Sequence, residues 1–149
     1  MDRRALLTLA AAGCLPPVAR AATLPASRSL KAELAAALAA RKPLLVMASL
    51  DGCPWCRMVR DSFLAPLARE GQPIVQVDWG SKAAVEDFEG RSTTHAELFK
   101  AWKVEVMPTV LFFGGRGREV AQRLAGASIP DFYGAYLEER LRQATANLA

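Results

Sequence analysis

The sequence predicts an α/β domain in which a central mixed β-sheet is flanked by helices. Three observations predict it. An unbroken apolar run, PLLVMASL, is followed by a stretch with helical spacing and then by a second apolar run at Ile74 to Trp79, the strand–helix–strand order of parallel neighbours. Near the end, VMPTVLFFGG and EVAQRLAG are two strand-like runs with glycines between them, as in an antiparallel hairpin. At 149 residues and 52% hydrophobic content, the chain has the size and composition to bury one core.

The N-terminus has a different pattern from this domain. Arg3 and Arg4 precede an uncharged stretch from Ala5 to Leu15, then two prolines and Ala19-Arg20-Ala21, which is the layout of a secretory signal. The uncharged stretch is too short to span a bilayer, which takes about 20 residues. The expectation is a signal peptide over 1–21, cut after Ala21 or Ala22, and a domain over 22–149 that is periplasmic or otherwise exported. The paired arginines leave twin-arginine export open beside the general route. The AAGC that ends at Cys14 resembles an acylation site only faintly, because Ala11 stands where leucine is usual, so no lipid anchor is expected. Cleavage takes away three arginines and one aspartate, leaving 16 basic and 14 acidic residues, and so lowers the net charge from +4 to +2. With no run of like charge, the chain gives no ground for nucleic-acid or membrane-surface binding.

The elements then follow in order. SLKAELAAALAAR, Ser29 to Arg41, places Leu30, Leu34 and Leu38 at helical spacing and stops before Pro43. Leu44 to Leu50 is apolar without alternation, which suits a strand covered on both faces. After the cysteines, Trp55, Val59, Phe63 and Leu67 mark a helix that Pro66 should kink near its end. Ile74 to Trp79 is the second strand, and Gly80 to Thr94 has the polar, aperiodic character of an exposed loop. Thr94 and Glu97 form a capping box for a helix to about Trp102, with His95 expected at the surface of its first turn. The hairpin comes next. Ser128 and Asp131 then suggest the cap of a last amphipathic helix carrying Phe132, Tyr136, Leu137 and Leu141.

The chemistry is concentrated in LDGCPWCRMV. Loss of the leader removes Cys14 and leaves one pair, Cys53 and Cys56, which in oxidising surroundings is able to form a disulfide. Cys53 falls at the turn from a buried strand into a helix, where the first-turn amides favour negative charge and lower a thiol pKa. Cys56 comes one turn later on the same side, more covered, placed to attack a mixed disulfide formed at Cys53. A structural zinc site needs four ligands, and only these cysteines and the distant His95 are on offer, so no metal and no cofactor are expected. As a structural staple the pair closes too short a loop to restrict the unfolded chain much. Redox chemistry is the reading that remains.

CPWC after an apolar strand, together with VMPT at Val106 to Thr109 before another, resembles the thioredoxin superfamily over roughly Lys42 to Ala146. The resemblance implies a thioredoxin-like fold, a cis bond before Pro108 beside the reactive disulfide, and a Met107 backbone that pairs with an extended substrate segment. Trp55 is either a contact for partner chains or simply an exposed aromatic. Glu86 to Gly90 is a surface insertion or a docking loop. The nearer likeness is to exported thioredoxin-like proteins of bacterial sulfur-oxidation systems and to soluble domains that take electrons from membrane thiol transporters. It implies exported proteins with disulfides or thiols as partners and a membrane thiol transporter as electron donor. One departure stands out: Met47 occupies the position, six before Cys53, where typical thioredoxins have a buried aspartate. Water or a carboxylate such as Asp51 would have to take its place. The spacing between strand and proline motif leaves no room for the large helical insertion of exported oxidants or for a dimerisation domain. A monomeric reductase is therefore expected, with a thiol oxidase, a glutathione-linked protein or a binding module with little turnover as alternatives.

Overall fold

The structure is a computed structural model that describes residues 23–149. The expected leader, its cleavage point and Cys14 lie outside the described residues. Helix α1 (Leu30–Ala39) starts where Ser29 Oγ accepts the Ala32 N–H at 3.1 Å. The Glu33 carboxylate closes the same turn by accepting the Arg28 N–H at 2.9 Å and the Ser27 hydroxyl at 2.6 Å. First-turn amides have no partner within a helix, so these acceptors define the start. The helix stops before Pro43 is reached, with Arg41 turned into the left-handed region at φ 56°.

Strand β1 (Leu44–Ser49) is buried at every residue. It runs through the middle of the sheet, parallel to β2 (Ile74–Asp78) and antiparallel to β5 (Thr109–Gly114). Leu44, Val46 and Ala48 face one core with α1 and α4 (His95–Ala101), while Leu45 and Met47 face the other with α2 (Pro54–Val59) and α5 (Pro130–Ala146). This double covering is why the strand has no alternation in its sequence. Each fully buried Leu, Val or Phe contributes about 1.5–3 kcal/mol.

Between α2 and β2 the helix continues through a π-helical turn at Arg60–Leu64 into α3 (Ala65–Arg69). The Ala65 N–H reaches back five residues to the Arg60 carbonyl, just ahead of Pro66, which has no N–H to give. The expected kink is thus a widened turn within continuous helical backbone.

Four expectations need correction. The polar stretch from Gly80 contains β3 (Ala84–Glu86) and β4 (Ser92–Thr94), an antiparallel pair that buries Val85. The Asp87 side chain accepts the Glu89 and Arg91 N–H groups in the intervening turn, and Phe88 packs on Phe113 with ring centroids 4.7 Å apart, so this loop is tied to the core. His95, expected at the surface, is 1% exposed. The return strand of the hairpin is split into β6 (Arg118–Glu119) and β7 (Leu124–Ala125), both pairing with β5. Helix α5 is capped at Ile129, not Ser128, because Pro130 fits the first helical position and needs no amide partner there. Its inward residues are Tyr133, Leu137 and Ala144, with Phe132 and Tyr136 exposed.

Candidate active site

The carboxyl end of β1 leads through Gly52, at φ 72°, into the first turn of α2. Cys53 is the N-cap of that helix, and its Sγ accepts the Cys56 N–H at 3.1 Å. Sulfur takes the place where a serine or aspartate oxygen usually sits. Pro54 follows at the first helical position, so the lost amide costs nothing. Both cysteines are free thiols, Cys53 half-buried and Cys56 buried.

The two sulfurs therefore sit in unlike surroundings. Burial pushes the Cys56 thiol up to about 11, and hydrogen bonding to Cys53 adds to the rise, while the Leu50 backbone and the Ser49 hydroxyl pull against it. Met47, fully buried, lies in the same apolar cluster as Cys56. Tyr133 of α5 completes that cluster. Its hydroxyl is buried without a hydrogen-bond partner, and its pKa is raised first by burial and then by the charge Cys56 would carry.

The peptide between Met107 and Pro108 is cis. Because Ala48 pairs with Thr109, this bond adjoins the end of β1 from which the cysteine turn departs. Thr109 Oγ1 donates to the Val106 carbonyl at 2.6 Å, and the Gly126 N–H donates to the Pro108 carbonyl at 2.7 Å. Met107 packs half-buried against the cluster that holds Cys56. Trp55, between the two cysteines, is 54% exposed, and Val106, two residues before Pro108, is 49% exposed.

A cleft of about 490 Å³ opens beside Cys53, lined by Asp51, Arg57, Arg60, Gln76 and Asp78 together with Ser49. Arg60 Nη1 donates to Gln76 Oε1 at 3.1 Å, and Gln76 Nε2 donates to Asp78 Oδ1 at 2.7 Å. The Asp78 N–H donates to His95 Nδ1 at 3.2 Å, which leaves His95 Nε2 to donate to the Ser27 carbonyl at 2.9 Å. Sequence reasoning missed Ser49, Gln76, Asp78 and His95. The polar alternation of Gln76 and Asp78 within IVQVD was the available signal.

A half-buried sulfur at a helix N-terminus, a covered thiol one turn later and a cis-proline turn at the neighbouring strand make up the apparatus of a thiol:disulfide oxidoreductase. The chain belongs to the thioredoxin-like domain family, whose family model matches residues 30–141. Among solved structures it is similar to a DsbH oxidoreductase, at 21% identity and a TM-score of 0.54, over 90% of this chain and 93% of that one. It is also similar to a thioredoxin from Thermus thermophilus, at 22% identity and a TM-score of 0.52, over 81% and 87%. No curated protein matches the chain.

Proposed function

We propose that this protein is an exported reductase of protein disulfides, working through the Cys53–Cys56 dithiol. The observation that carries the reading is the asymmetry of the two thiols. Cys53 is half-buried with its sulfur at a helix N-cap, whereas Cys56 is covered and held protonated by burial. The Cys53 thiolate attacks a partner disulfide, forming a mixed disulfide and releasing one partner thiol. Cys56 then gives up its proton and attacks Cys53 Sγ. The bond to the partner breaks, its electron pair leaves with the partner sulfur, and the dithiol ends as a disulfide while the partner gains two thiols.

The exposed Trp55 and Val106 would give an extended partner segment an apolar contact, and the backbone of Met107 would pair with it as a strand edge does. The N-terminal signal pattern supports a location outside the cytoplasm. There a membrane thiol transporter would return the dithiol to its reduced state, and the protein would act as a monomer.

Turnover separates this reading from a binding module. With a small dithiol as electron source, the protein should accelerate insulin reduction and precipitation, and Cys53→Ser should abolish the acceleration. A wild-type rate equal to that of the small dithiol alone would favour a binding module.

A further inference from the structure

Met47 stands where the resemblance to typical thioredoxins implies a buried aspartate, so the proton of Cys56 has to leave by another route. The sheet supplies an alternative two residues further along. Leu45, Met47 and Ser49 lie on the same side of β1, since side chains alternate along a strand, and that side faces the core containing Cys56. Their partners on β2 are Ile74, Gln76 and Asp78, with Ser49 directly beside Asp78. Adjacent strands are about 4.8 Å apart, which makes Ser49 and Asp78 side-by-side neighbours; no hydrogen bond joins their side chains in the resting structure, so transfer between them takes a turn of the hydroxyl or one intervening water. Ser49 is 1% exposed, and both residues line the cleft that opens beside Cys53.

From this arrangement we infer that Ser49 and Asp78 form the proton relay for Cys56, with Ser49 passing the proton and Asp78 receiving it at the cleft. The inference rests on thiol:disulfide exchange at this dithiol but not on its direction. As Cys56 attacks Cys53 Sγ, its proton moves to Ser49 Oγ while the Ser49 proton moves to Asp78. The Cys53–Cys56 bond forms, the bond from Cys53 to the partner breaks, and the departing partner sulfur takes the electron pair and picks up a proton from solvent or from Asp78. Asp78 is well held for this: Gln76 fixes Oδ1, Arg60 fixes Gln76, and His95 holds the Asp78 backbone. His95 is thus a positioning residue. A hydrogen bond from the Ser49 hydroxyl favours the Cys56 thiolate, which fits the first step of the relay.

Other groups face these residues. Cys53 and Tyr133 lie towards Cys56, and Asp51, Arg57 and Arg60 line the cleft. Tyr133, with its unpartnered hydroxyl, is the competing proton carrier.

The test is the two-phase reaction of the reduced protein with 5,5′-dithiobis(2-nitrobenzoate), followed by stopped flow from pH 6 to 10. The first thionitrobenzoate reports attack by Cys53 and the second reports resolution by Cys56. Ser49→Ala and Asp78→Asn should leave the first phase unchanged. Each should slow the second by about tenfold or more at neutral pH and move its rate profile to higher pH. Tyr133→Phe should behave as wild type. A second phase unchanged in either relay variant, equal slowing of both phases, or an effect confined to Tyr133→Phe would overturn the inference. Because the disulfide is a chemical one, a failure of the reductase reading would not affect this result.

Discussion

At the scale of single residues, the different burial of the two thiols has two measurable consequences. At pH 8, three units below about 11, only about a thousandth of Cys56 is thiolate. Iodoacetamide added to the reduced protein should therefore modify Cys53 first, as mapped by peptide mass; preferential labelling of Cys56 would reverse the assignment of nucleophile. The second consequence is an alkaline loss of stability. Cys56 has a folded-state pKa raised from 9.0 to about 11, so the unfolded chain ionises first. The stabilisation is complete below about pH 9 and is lost as pH rises towards 11. The oxidised protein has no such proton. The urea midpoint of the reduced form should accordingly fall faster above pH 9 than that of the oxidised form; parallel curves would mean that Cys56 titrates normally. The positions of Cys53 and Cys56 were legible because a CxxC between an apolar run and a helical pattern leaves few places for the sulfurs to go. The surroundings of Cys56 were not. Ser49 ends an apolar run and Asp78 ends another, and only the strand register brings them together.

At the scale of elements, long periodic or unbroken apolar segments were readable and short ones were not. β1 and α1 declare themselves by composition, whereas β3 and β4 are three residues each, are held by pairing with one another and by a bridge from Glu86 to Ser29, and contribute a single buried side chain, Val85. His95 illustrates the same limit. Placed first after the Thr94 cap, it looks like a solvated helix start, yet its ring is buried between the end of β2 and the segment around Ser27. Its ring joins β2 to that segment, accepting from the Asp78 N–H and donating to the Ser27 carbonyl. Replacing it with leucine leaves both backbone groups buried without partners, at about 1–3 kcal/mol for each. His95→Leu should therefore lower the urea midpoint by an amount equivalent to at least about 2 kcal/mol. A midpoint within error of wild type would show that the bridge holds nothing together.

At the scale of the whole molecule, the sheet order β2-β1-β5-β6 puts the cysteine turn and the cis-proline turn at one end of two neighbouring central strands. That placement follows from topology: the parallel β1–β2 connection needs a helix, and the helix must start at the carboxyl end of β1. The mixed sheet and its two cores were therefore predictable from element order alone, while the split return strand of the hairpin was not, since Arg123 turns away there to donate to the Trp102 carbonyl at 2.7 Å. The central claim is that this frame holds a reducing dithiol. No histidine or other charged side chain lies between the cysteines, and the covered Cys56 stays protonated, so little stabilises the reduced form in the way an oxidant requires. Equilibration with glutathione buffers of known ratio, read by the fraction of Cys53–Cys56 disulfide, should give a potential nearer to about −270 mV than to about −120 mV. A value more oxidising than about −160 mV would contradict the account and make the protein a donor of disulfides instead.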